Sequence, residues 1–327
     1  MNVLVTGAAG FIGSRLSRRL LDRGDRVTAI DCLTDSYPRR IKKRNLAPLL
    51  REPNFRWIEA DLNEAPLGRI LKGQEAVFHL AAQAGVRDSW GRRFDVYLRH
   101  NIAATQRLLE AVKTKPLAKF VYASSSSVYG LTPDLPMRET SPLHPLSPYG
   151  VSKLAAEDLC FLYWKSYGIP AVSLRFFTVY GPGQRPDMAF HKFLKAILEG
   201  REISIYGDGR QTRDFTYVDD IVAANLAALE RGPAGEVYNV GGGHCERLDA
   251  LFAVLEKVCG RPLRLRFVEA QKGDVLHTSA DISKAVRDLG FAPRTALKDG
   301  LRNEWEYIQH LYAPAAPPAG DEKGLSS

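Results

Sequence analysis

The chain has 327 residues, 45% of them hydrophobic, which is ample for a large α/β unit or two domains. Its formal net charge is +8, but the basic residues are spread along the chain without a nucleic-acid motif, so no nucleic acid is expected and an anionic small molecule suits the charge as well. No run approaches the ~18 apolar residues of a membrane span, there is no signal-peptide pattern after Met1, and Cys32, Cys160, Cys245 and Cys259 are scattered without metal or disulfide spacing, so the reading is a cytoplasmic protein with reduced thiols, no metal and no membrane partner.

Short apolar runs predict strands at residues 2–6, 26–30, 55–59, 76–80, 119–123 and 171–175, and amphipathic patterns predict helices at 11–23, 93–115 and 148–167. Alternation of this kind implies an α/β fold: a doubly wound parallel sheet covered by helices on both faces. Ligands of such sheets bind at the carboxyl ends of the strands. Beyond Arg175 glycine and proline become frequent and strand-like pieces short, which predicts a smaller substrate lobe over 176–312, interleaved with the first 175 residues. Residues 215–240 read as strand, helix and strand returning to the main sheet. The tail from 313 to 327 lacks large apolar residues and reads as disordered.

The first strand runs into Gly7-Ala8-Ala9-Gly10-Phe11-Ile12-Gly13 at the start of a helix. Gly7 permits the tight turn, Gly10 a close approach to a pyrophosphate, and Gly13 close packing of helix on strand, in the manner of a Rossmann dinucleotide site. Asp31 ends the second strand, where a carboxylate accepts from an adenosine ribose and repels a 2′-phosphate, so NAD is favoured over NADP. The basic run from Arg39 to Arg44 is either a solvated face or a cation beside an anionic ligand. Asp61-Leu62 after the third strand is placed to meet the adenine or to cap the next helix. Leu80-Ala81-Ala82 after the fourth leaves room for a flat ligand.

Tyr149 and Lys153 stand four apart on one face of the 148–167 helix. A neighbouring ammonium and a cationic nicotinamide ring would lower the tyrosine pKa toward that of a working base. The serine run Ser124 to Ser127 ends the fifth strand and can share a substrate oxygen with Tyr149.

Together these motifs resemble the extended short-chain dehydrogenase/reductase family, in its nucleotide-sugar epimerase/dehydratase branch, from Val5-Thr6-Gly7 through Asp281. The resemblance implies a catalytic triad of Ser125, Tyr149 and Lys153, with Ser125 chosen because it lies four positions before the Tyr of Val128-Tyr129-Gly130. It implies bound NAD at Gly7, Gly10, Phe11, Ile12, Gly13, Asp31, Asp61, Leu62, Leu80, Ala81, Ala82, Tyr149 and Lys153. It also implies homodimerisation through the 93–115 and 148–167 helices. Dehydratases of this branch carry Asp-Glu after the catalytic Thr, and decarboxylases keep a Glu at the second position; here both are hydroxyls, Ser126 and Ser127, which points to epimerisation. The segments 85–91 and 175–189 resemble the UDP-glucuronate 4-epimerases. On that likeness Arg185 meets a sugar carboxylate, helped by Ser125, Ser126 or Thr178, with Arg87 as a weaker candidate. The UDP moiety is expected against Arg185, Arg213 and the strand from Ser204 to Tyr206, with Asp274 nearby and Lys272 in place of a family arginine. Epimerases of neutral UDP-hexoses or N-acetylhexosamines, a UDP-glucuronate decarboxylase and a non-catalytic NAD sensor are the competing readings.

Overall fold

The computed structural model describes residues 1–243, 245–269 and 275–313. Seven parallel strands form the main sheet: β1 (Asn2–Thr6), β2 (Arg26–Asp31), β3 (Phe55–Glu59), β4 (Ala76–His79), β5 (Lys119–Ser125), β6 (Ala171–Phe176) and, later in the chain, β10 (Val237–Val240). Their order is β10-β6-β5-β4-β1-β2-β3. The chain builds outward from β1 to β3, then crosses to β4 on the other side. The crevice at the carboxyl ends of β1 and β4 is therefore the topological switch point, where such sheets hold ligands.

β1 is apolar throughout its interior because both of its faces are covered. Val3 and Val5 pack with Leu16 and Leu20 of α1 (Phe11–Asp22) and Ile221 and Ala224 of α8 (Val218–Arg231). Leu4 points the other way, into a second layer built by α3 (Leu67–Ile70), α5 (Ala104–Val112) and α6 (Pro148–Tyr167). α6 starts and stops on local signals. The Ser147 hydroxyl accepts from the Gly150 N–H at 3.1 Å, Pro148 occupies the first turn, and Gly168 closes the helix at φ +70°.

The single helix expected over 93–115 is instead a composite. α4 (Phe94–Tyr97) passes through a π-helical turn at Leu98–Ala103 into α5, which ends at Val112. The wide turn lets Asn101 reach across to the loop after β4, a tertiary contact that outweighs regular helix geometry.

A smaller lobe carries β7 (Thr178–Tyr180), β8 (Ile203–Tyr206), β9 (Thr212–Tyr217), β11 (Cys245–Arg247) and β12 (Leu265–Val268), with α7 (Ala189–Leu198), α9 (Leu248–Cys259), α10 (Ser283–Leu289) and α11 (Leu297–Tyr312); α2 (Arg39–Leu46) lies beside α1. Only part of the 215–240 expectation holds. β10 joins the main sheet, whereas β9 pairs with β7 and β11 in a separate three-stranded sheet. Its buried Asp214 explains the difference, since the carboxylate accepts from the Gly242 and Ala280 N–H groups at 2.5 and 3.1 Å and anchors the strand within the lobe. Of the tail expected over 313–327, residues 314–327 lie outside the described residues.

Candidate active site

One cleft of about 990 Å³ runs from the β1–α1 turn to β8. At its first end, Gly7 adopts φ +70° and donates to the Ile30 carbonyl at 2.9 Å. A Cβ there would lie 2.7 Å from the Ala81 nitrogen, and one on Gly13 would collide with the Gly7 carbonyl. Both glycines are thus required by close packing. Gly10 is the N-cap of α1, which has neither a side-chain cap nor an acidic residue in its first turn. Gly10, Phe11, Ile12 and Gly13 line the cleft, so this helix end meets the chemistry of an anionic diphosphate.

Asp31 lines the same wall, its carboxylate accepting from Leu33 N–H at 2.8 Å and Ala9 N–H at 3.2 Å. Burial raises its pKa, opposed by those two bonds and by the charge of Lys42. Within the basic run the two open readings divide by residue. Arg39 is exposed and pairs with Asp35, whereas Lys42 is buried on the cleft wall and donates to the Thr34 carbonyl at 2.7 Å. Asp61 and Leu62 line the same cleft; Asp61 also accepts from Asn63 N–H at 2.9 Å and pairs with Arg99 at 2.8 Å. Leu80, Ala81 and Ala82 complete that wall.

Ser125, Tyr149 and Lys153 line the same cleft. Ser125 ends β5, and its hydroxyl accepts from Ser127 N–H at 3.2 Å. Burial pushes the Tyr149 hydroxyl above its ordinary value, while a hydrogen bond with Ser125 and the charge of Arg185 pull it back. Arg185 and Lys153 both line the cleft beside Tyr149. Lys153 donates to the Ala123 carbonyl at 2.5 Å and lies 4.8 Å above the Tyr122 ring. Burial lowers its pKa to about 8.

Ser126, Ser127, Thr178, Arg185, Ser204, Tyr206, Arg213 and Arg87 also line the cleft. Arg87 stacks over the Tyr206 ring at 4.2 Å, joining the loop after β4 to β8. Arg213 donates to the Thr212 and Leu276 carbonyls at 2.8 and 3.0 Å. Asp274 and Lys272 lie outside the described residues.

Several residues that support the site escaped sequence reasoning. Buried Asn101 accepts from Gln83 N–H at 2.7 Å and donates to the Gln83 carbonyl at 3.0 Å and to Ser152 Oγ at 2.8 Å. It ties the cofactor-side loop to α6, which carries Tyr149. The His79 ring is held between Thr6 and Thr105 hydroxyls at 2.8 and 2.9 Å, and burial depresses its pKa to about 3. Beyond the triad, Glu157 accepts from Ser124 Oγ at 2.5 Å and pairs with buried Arg175. Arg175 also donates to the Tyr129 hydroxyl at 2.9 Å. Their partners come from distant strands, so no local spacing announces them.

The match to known proteins covers most of the chain. The family model described as NAD dependent epimerase/dehydratase family matches residues 3–241. A Bacillus subtilis protein named as an uncharacterized UDP-glucose epimerase is 48% identical over 314 residues, spanning 95% of this chain and 99% of that one. A UDP-glucuronate 4-epimerase of Thermodesulfobacterium geofontis is 41% identical over 306 residues, 91% of this chain and 93% of the relative. Among solved structures, the UDP-glucuronic acid 4-epimerase of Bacillus cereus, in complex with UDP-glucuronic acid and NAD, superposes with a TM-score of 0.93 at 45% identity. It covers 95% of this chain and 100% of its own. With the glycine turn, the acidic end of β2 and the Ser125–Tyr149–Lys153 cluster in one cleft, the chain belongs to the NAD-dependent epimerase/dehydratase family.

Proposed function

We propose that the protein is an NAD-dependent 4-epimerase of a UDP-uronic acid, interconverting UDP-glucuronate and UDP-galacturonate. The observation that carries this reading is the lining around Tyr149: Arg185 shares its cleft, and the serine run places hydroxyls rather than carboxyls at 126 and 127. The names of the Bacillus cereus and Thermodesulfobacterium geofontis relatives support it.

The glycine turn, Asp31, Asp61, Leu62 and Leu80 to Ala82 hold the dinucleotide, which supplies a hydride acceptor for sugar C4 and the donor for the return. Tyr149 takes the O4 proton in the first half-reaction and gives it back in the second. Ser125 shares the O4 oxygen, and Lys153 supports the charge of the site. Between the half-reactions the sugar is a 4-keto uronate, a β-keto acid able to lose its carboxylate. Arg185, helped by the hydroxyl of Ser125, Ser126 or Thr178, holds that carboxylate in a pose that does not favour cleavage. Arg213, Ser204 and Tyr206 take the nucleotide diphosphate, with Arg87 across the cleft.

Separate incubations with UDP-glucuronate, UDP-glucose and UDP-N-acetylglucosamine test the substrate, with UDP-galacturonate as the expected product of the first. Turnover of a neutral sugar alone overturns the uronate reading in favour of a neutral UDP-hexose epimerase, the activity in the name of the Bacillus subtilis relative. Carbon dioxide as the main product identifies a decarboxylase instead, and NAD binding without any turnover a sensor. The free cysteines accord with a cytoplasmic site of action, and among the described residues no helix is long and apolar enough to cross a membrane. A homodimer is the expected assembly, built on the exposed apolar side of α6 and the segment preceding α5.

A further inference from the structure

Arg185 lies in the segment from Gly181 to Met188, whose backbone is bolted down on both sides. The buried Gln184 donates from its backbone to the Gly181 carbonyl at 3.0 Å and from its side chain to the Val179 carbonyl at 2.9 Å, while its own carboxamide oxygen accepts from His191 N–H at 2.8 Å. Met188 N–H donates to the Arg185 carbonyl at 3.1 Å. Pro186 restricts the backbone between Arg185 and Asp187.

The Arg185 guanidinium makes both of its hydrogen bonds among the described residues to Asp187. Nε donates to Oδ1 at 3.0 Å and Nη2 to Oδ2 at 2.7 Å. This occupies the side edge of the planar fork. The Nη1/Nη2 end is a second edge able to bind a carboxylate with two parallel bonds. Asp187 is exposed and Arg185 partly so, and ion pairs in such surroundings contribute little to stability. A stabilising role does not account for the pair, whereas orientation does. Both residues line the cleft that holds Tyr149.

We propose that Asp187 is a positioning residue for substrate selection, holding one edge of Arg185 so that the other edge is presented to the C5 carboxylate of a UDP-uronate. Asp187 stays ionised in this role: the part of it that is buried opposes its charge, but the bonds and charge of Arg185 hold its carboxyl below the usual carboxylate range. The inference rests on the uronate reading above and adds to it the group that aims the arginine.

Asp187→Ala and Asp187→Asn test this, with Arg185→Ala as the reference. Steady-state kinetics on UDP-glucuronate are read beside the inhibition constant of UDP, which lacks the sugar carboxylate. The expected result is a KM raised about tenfold in Asp187→Ala with kcat lowered less than threefold. Asp187→Asn, which keeps one acceptor, is expected to fall between Asp187→Ala and wild type, and the UDP inhibition constant to stay unchanged in both. An unchanged KM in Asp187→Ala beside a raised one in Arg185→Ala overturns the positioning role alone. A lowered KM makes Asp187 a competitor of the substrate and also overturns it. An equal rise in the UDP inhibition constant marks general damage to the cleft and does the same. An unchanged KM in Arg185→Ala removes the carboxylate contact itself, and the uronate reading of that residue fails with it.

Discussion

Tyr149 is held between opposing influences. Burial favours its neutral hydroxyl, while Ser125 and Arg185 favour the phenolate, so a buried tyrosine is kept within reach of proton transfer. Removing the hydroxyl leaves the cleft intact but deletes the acid and base in one step. Tyr149→Phe is therefore expected to lower turnover of UDP-glucuronate by about 10²- to 10⁴-fold, the usual worth of a positioned proton-transfer group. NAD binding, followed by tryptophan fluorescence quenching, is expected to persist. Loss of turnover together with loss of NAD would assign the residue a structural part instead. Lys153 acts from a different place than spacing suggests: its ammonium sits under the carbonyl of Ala123, so it braces the end of β5, which carries Ser125, as well as supplying charge.

At the scale of elements, α6 serves two faces. Its inner face carries Lys153, Ala156, Glu157 and Cys160, all buried against the sheet. Its outer face leaves Val151, Phe161 and Leu162 exposed, and Val96 and Leu98 are exposed on the segment before α5. Exposed apolar side chains on these two segments suit a second copy of the chain, with two helical segments from each protomer. A carboxylate placed there loses hydration without gaining a partner. Leu162→Glu is expected to shift the dimer–monomer equilibrium toward monomer by at least about tenfold, equal to ~1.4 kcal/mol. Sedimentation velocity across a concentration series reads this directly, and an unchanged sedimentation coefficient would place the contact elsewhere. The π-helical turn next to this surface shows how an element's geometry yields to a contact, since its Asn101 joins the loop after β4 to the helix that bears Tyr149.

For the whole molecule, the buried histidine at the sheet centre links stability to pH. The folded His79 pKa is depressed to about 3 by burial, with Lys153 adding to the effect, against an ordinary value near 6.5. Between those limits the unfolded chain takes up a proton that the folded one declines. This contribution is therefore present above about pH 6.5 and is lost as pH falls toward 3, by up to ~1.4 kcal/mol per pH unit. Urea unfolding between pH 7 and 4 is expected to show a shallower fall for His79→Asn than for the unsubstituted protein. Equal slopes would mean that His79 does not govern acid sensitivity.

Much of the architecture was legible in order along the chain. The apolar interior of β1, the Gly7–Gly13 turn and the capped start of α6 are local signals, because strand burial, left-handed backbone and helix capping depend on neighbours a few residues away. The four-residue spacing of Tyr149 and Lys153 placed both on one helix face for the same reason. Only the tertiary structure decided that Lys153 donates to the Ala123 carbonyl, that Lys42 rather than Arg39 turns into the cleft, that β9 leaves the main sheet, and that Asn101, His79 and Glu157 support the site. Those are choices among partners brought together from separate elements of the chain. They are settled by which buried donors and acceptors the packed elements leave to be satisfied, a condition that exists only once the sheet, its helices and the second lobe have come together.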